Sequence, residues 1–137
     1  MVRSSAGVSR TSGFALALFC TTAVVEMLAV AVAGAWFDDV ADASPFGRAG
    51  TIVVAAIASG IACVGTILAW RGSSGALRGI TATLVFVVVG IVLLMVLYFL
   101  IAGGTPIILA LWLAHAAFSL GMIGRVALQP APTGPSN

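Results

Sequence analysis

Four long stretches of this chain are apolar almost throughout. They run over about residues 13–36, 51–70, 79–101 and 106–126, with polar or glycine-rich breaks between them. A helix rises 1.5 Å per residue, so about 20 residues cross the hydrocarbon of a bilayer, and each stretch is long enough. The apolar positions are continuous rather than alternating. Inside hydrocarbon only helices and closed barrels satisfy the backbone, and a continuous run lacks the two-residue period of a barrel strand. The pattern therefore predicts an all-α protein, a transmembrane four-helix bundle.

The ends of the stretches carry their own signals. Thr11 and Ser12 are placed to cap the first helix. Trp36 and Trp70 fall where an interfacial aromatic belt would lie, and Tyr98 comes near the end of the third helix. Arg71-Gly-Ser-Ser-Gly-Ala-Leu-Arg78 separates the second helix from the third. Gly103-Gly104-Thr105-Pro106 separates the third from the fourth, with proline at a first-turn position that tolerates it. The organisation predicted is a short segment over 1–12, one transmembrane domain over 13–126 and a tail over 127–137. The tail is rich in proline and small polar residues, which predicts disorder.

Composition strengthens the membrane reading. The chain is 61% hydrophobic and 7% charged, with a mean hydropathy of +1.22. A soluble domain of 137 residues has too high a surface-to-volume ratio to hide that much apolar surface. The net charge of +2 and the lack of a basic stripe with interleaved aromatics argue against nucleic acid as a partner. The basic residues are all arginine, and alanine, valine and glycine abound. That usage fits a GC-rich bacterial genome and hence a bacterial plasma membrane.

Charge also predicts orientation. Arg3, Arg10, Arg71, Arg78 and Arg125 fall on one side of four alternating helices, and Arg48 falls on the other. The positive-inside rule then places both termini in the cytoplasm. The first helix resembles a signal peptide, with Ala33-Gly-Ala35 as a cleavage-like site. Its apolar run is longer than a signal core and contains a glutamate, so an uncleaved helix is expected.

That glutamate, Glu26, is the first candidate for chemistry. It lies about 20 Å along a helix of about 35 Å, near the bilayer midplane. A charge there costs ~2.5–3.5 kcal/mol on insertion scales. The carboxyl can escape by taking a proton, or by facing the bundle and finding a partner. Thr22, Glu26, Ala29 and Ala33 share a stripe at three- and four-residue steps, and its small residues would admit a close neighbour helix. His115, the only histidine, lies about 14 Å from the outer end of the fourth helix, again near mid-depth. Its stripe is Ile108, Trp112, His115, Ser119 and Met122. If the first and fourth helices are neighbours, Glu26 and His115 can touch and share a proton. The alternative is a purely structural hydrogen bond.

Other features carry less. A single histidine rules out bis-histidine haem ligation within the chain and leaves no zinc set. Ser119 lies one turn from His115, but no G-x-S-x-G is present, so no catalytic residue is assigned and an enzyme is not expected. Cys20 and Cys63 form no C-x-x-C and read as two buried thiols acting as small hydrophobes. Asp38, Asp39 and Asp42 spell D-D-x-x-D, which resembles the magnesium–diphosphate motif of prenyl synthases. Here it is a single copy in a short outer loop, so a solvated acidic loop with at most weak cation binding is expected. Ala56-x-x-x-Gly60 is a small-x-x-x-small step, predicted to pack helices within the chain first and between copies second. The third helix is predicted to present the largest surface to lipid.

Four helices with a glutamate in the first resemble the small multidrug resistance transporters, which implies proton- or cation-coupled transport. Val25 stands where that family has a small residue, and the arginine distribution is more one-sided. The chain as a whole resembles small four-helix integral membrane proteins of actinobacteria. The shared features are an acidic outer loop after the first helix, a short arginine-flanked inner turn, and a histidine within Leu111-Trp-Leu-Ala-His115. That resemblance implies a fold and no activity. The expectation is a non-enzymatic accessory or interaction subunit without cofactor. Its partners would be the lipid bilayer and another membrane protein or a second copy. The runner-up is a small transporter using Glu26 with His115.

Overall fold

The computed structural model describes residues 10–71, 75–104 and 106–129. The predicted N-terminal segment up to residue 9, the middle of the Arg71–Arg78 turn, Thr105 and the predicted tail from residue 130 lie outside them. The described residues form five helices and no strand: α1 (Arg10–Trp36), α2 (Asp38–Ala43), α3 (Gly47–Arg71), α4 (Gly75–Ala102) and α5 (Pro106–Leu128). All but α2 are long and apolar enough to cross a membrane. At 23 to 28 residues each they are about 35–42 Å long, against about 30 Å of hydrocarbon. The chain thus has the architecture of a multi-pass integral membrane protein.

Three helices start earlier than hydropathy predicts, at residues 10, 47 and 75 rather than 13, 51 and 79. Hydropathy marks where lipid begins, whereas a helix continues as long as its backbone bonds do. Thr11 and Ser12 consequently lie inside the first turn of α1 instead of capping it. At the other end of the fold, α5 runs to Leu128, two residues beyond its predicted end.

The connection between α4 and α5 is tight. Gly103 and Gly104 both take positive φ, 71° and 65°, a region that only glycine enters without strain. The Ile107 N–H then donates to the Gly104 carbonyl at 3.1 Å as α5 begins.

Helix α1 packs on α3 and α5, and α4 packs on α5 and α3. The α3–α5 diagonal closes, while α1 and α4 face each other across the bundle without contact. What lets α3 serve three long neighbours is its buried face of Thr51, Ala55, Ala58, Ala62, Gly65 and Thr66, all small. Lipid tails are as apolar as side chains, so helices associate through close packing, and small residues permit it. Gly65 approaches both α4 and α5: a Cβ there would sit 3.2 Å from Ile123 and 3.5 Å from Val85. At Gly124 on α5 it would meet Val85 at 3.0 Å.

Ala56 and Gly60 do not take part. Both are exposed, and a Cβ at Gly60 would meet nothing within 4 Å. The expectation that this pair packs helices within the chain is corrected: the small-residue seam of α3 lies one position over. On α1 the fully buried line is Leu16, Ala23, Met27 and Val30, with Gly34 meeting Thr51 of α3. Ala29 and Ala33 lie beside that line, half-buried, and Ala33 packs against the core. Larger side chains fill the rest of the interior: Phe99, Leu113, Leu120, Met95 and Ile123 are at most 1% exposed. Helix α4 presents a broad outer surface that includes Leu84, Phe86, Val87, Leu93, Leu97 and Leu100.

The segment read as an acidic loop contains the short helix α2, which touches all four long helices. Val40 and Ala41 are buried, while Asp38, Asp39 and Asp42 face outward. Arg48 ties this end together. It donates to the carbonyl of Ala35, in the last turn of α1, at 2.6 Å and pairs with Asp38. A cation on the last carbonyls of a helix also complements its dipole. Arg78 does the same at the opposite end, donating to the carbonyl of Gln129 just beyond α5 at 2.9 Å. Below α2, the Ser44 and Thr51 hydroxyls share a buried hydrogen bond of 2.6 Å.

Candidate functional site

Helices α1 and α5 meet along a flank that carries a ring contact and a hydrogen bond between them. Phe19 and Phe118 stack edge to face, their centroids 6.3 Å apart. Further toward the α2 end, His115 Nδ1 lies 2.7 Å from Glu26 Oε1. The structure therefore brings together the two residues that depth alone had placed at one level. Glu26 lies about 15 Å and His115 about 14 Å from the α2 ends of their helices.

The two side chains differ in setting. Glu26 is 16% exposed, whereas the His115 side chain is 59% exposed on the outer surface of the bundle. A contact this short is a hydrogen bond, so it holds a proton between nitrogen and oxygen. That proton is on the imidazole or on the carboxyl according to tautomer and charge state. The other carboxyl oxygen, Oε2, is buried without a hydrogen-bond partner. A buried polar atom in that condition is costly, and more so if charged.

An open groove of about 350 Å³ borders Glu26, lined by Thr21, Thr22, Val25, Glu26 and Trp112. Thr22 thus lies on the rim of this groove. The neighbouring Thr21 hydroxyl donates back to the Ala17 carbonyl at 2.9 Å. Ser119 behaves differently. Four residues turn a helix by 400°, so Ser119 is rotated about 40° from His115. That rotation carries it from the flank into the bundle, where it is fully buried and its hydroxyl has no partner. His115 and Ser119 do not present one common face to the site.

The other candidates lie elsewhere. Asp39 and Asp42 border a cavity of about 480 Å³ at the α2 end, with Ala102, Gly103, Gly104 and Pro106. Asp38 is committed to Arg48. Among the described residues no group of three or more His, Cys, Asp or Glu side chains could hold a metal ion. Cys20 and Cys63 are not the two buried thiols expected: Cys20 is half-buried, Cys63 is exposed, and their sulfurs lie 4.0 Å apart. Separated by 43 residues on different helices, they give no spacing motif that a sequence could display.

Chemically, the α1–α5 flank can exchange a proton between a carboxyl and an imidazole, or hydrogen-bond an incoming group. No protein-family model, curated protein or solved structure matches the chain.

Proposed function

We propose that this chain is a non-enzymatic accessory subunit of a bacterial plasma membrane, with both termini inside. In this reading it docks a transmembrane helix of another membrane protein along the α1–α5 flank. The observation that carries the proposal is the exposure of His115, 59% open at mid-depth and bonded to Glu26. Polar side chains at that depth face protein or a water-filled cavity, because hydrocarbon satisfies none of their hydrogen bonds. A helix bearing a serine, threonine, asparagine or glutamine at the same level would cover the ring and bond to it. Apolar Val25, Leu111 and Phe118, all exposed nearby, would pack against its remaining side chains.

The test is purification in a gentle detergent. The wild-type chain should carry one partner in fixed stoichiometry, and His115→Leu should release it while the chain keeps its helicity. A chain that elutes alone, and whose vesicles show proton-coupled uptake, would overturn the proposal.

That opposite outcome is the second reading, a small proton- or cation-coupled transporter. It is favoured by the unpartnered Oε2 of Glu26 beside an open groove. Glu26→Gln should then abolish uptake in reconstituted vesicles with folding intact. Under the accessory reading it should leave the partner bound, since glutamine keeps a hydrogen-bonding oxygen.

A further inference from the structure

We infer that Cys20 and Cys63 form a two-thiol site for a soft monovalent metal ion of the Cu(I) and Ag(I) class, open to the lipid-facing side of α1 and α3. The site is distinct from the Glu26 flank. Cys20 precedes Glu26 by six residues, which turns it about 120° around α1, toward α3. It lies about 15 Å from the start of α1, and Cys63 about 12 Å from Arg71 at the end of α3, so the two thiols share a level.

Geometry, donor type and charge agree. The sulfurs are 4.0 Å apart and both cysteines are free. Two metal–sulfur bonds of about 2.3 Å span about 4.6 Å in line and less when bent. A sub-ångström adjustment therefore places an ion between the thiols. Thiolates select soft metals. Zinc needs four ligands, and no larger group of donors exists among the described residues. Ions content with two soft ligands are not so limited. Binding breaks one S–H bond, forms two S–metal bonds and releases one proton to solvent. A thiolate, a thiol and a monovalent ion sum to zero charge, the state that hydrocarbon penalises least. Cys63 is the exposed member, and half-buried Cys20 is held by the α1–α3 packing.

Silver is the suitable probe because it does not cycle between oxidation states under assay conditions. The full chain in detergent micelles under nitrogen is titrated with Ag(I) against a competing chelator. One ion per chain is expected, with Cys20→Ser and Cys63→Ser each weakening it at least tenfold. A double variant, Cys63→Ser with Ile57→Cys, keeps two thiols but places the second about 9 Å away along α3. It should bind as weakly as Cys63→Ser alone. Because Cys63 and Ile57 are both exposed, these variants should fold. Unchanged affinity in Cys63→Ser, or recovery in the double variant, would show that adjacency is irrelevant and overturn the site.

Discussion

Removing Glu26, His115, or both should reveal a coupling between them that is small but measurable. The 2.7 Å contact bridges two helices, and one partner is only 16% exposed. Hydrogen bonds between transmembrane helices contribute about 0.6 kcal/mol on average and up to about 1.7 kcal/mol. The short distance and the burial of Glu26, 16% exposed against 59% for His115, place this one in the upper part of that range, about 1–1.7 kcal/mol. The larger cost of bringing Glu26 into hydrocarbon is met when α1 inserts. It is common to the assembled bundle and to separated, inserted helices, so a double-mutant cycle cancels it. The assay is unfolding of Glu26→Ala, His115→Ala, the double variant and the wild type in mixed micelles of rising denaturing-detergent content, followed by tryptophan fluorescence. Trp112 on the groove reports locally. The expected coupling corresponds to about a fivefold to eighteenfold change in the folding equilibrium. A coupling below about 0.3 kcal/mol, the scatter seen for independent sites, would refute the reasoning.

Other expectations follow from packing and backbone. Gly124→Val should destabilise the bundle by about 1–3 kcal/mol, because even a Cβ there lies 3.0 Å from Val85 and 3.4 Å from Phe86; an unchanged melting curve would contradict the α4–α5 seam. Gly103→Ala should cost about 1–2 kcal/mol for its φ of 71°, whereas Gly90→Ala, open and mid-helix, should be neutral or slightly stabilising by the same thermal assay. For orientation, Asp42→Cys in a chain with Cys20→Ser and Cys63→Ser should react with a membrane-impermeant thiol reagent on intact cells. Reaction only after permeabilisation would reverse the proposed topology.

The helices were readable from the sequence because lipid imposes a length and a polarity that hydropathy records directly. The faces of the helices were not. In a bilayer an outward face and an inward face can be equally apolar, so Ala56-x-x-x-Gly60 and the Ala55–Ala58–Ala62 seam look equally suited to packing. Depth was legible for Glu26 and His115, since counting from each helix end gives a level to within a turn. Their contact needed the neighbouring of α1 and α5, which no local pattern encodes. Cys20 and Cys63 were missed for the same reason. The acidic segment misled differently: its three aspartates dominate the pattern, yet Val40 and Ala41 between them fix where the segment sits.

That placement of α2 bears on how anything reaches the middle of the molecule. With Val40 completely buried and Asp39 and Asp42 turned out, α2 stoppers one mouth of the bundle, and Phe99 and Leu113 fill the interior. A straight axial route from that side would require the stopper to lift. The groove beside Glu26 asks for no such movement. The carboxyl is open to approach from the side, within the plane of the lipid, and the bundle is better pictured as having an open wall than an open bore.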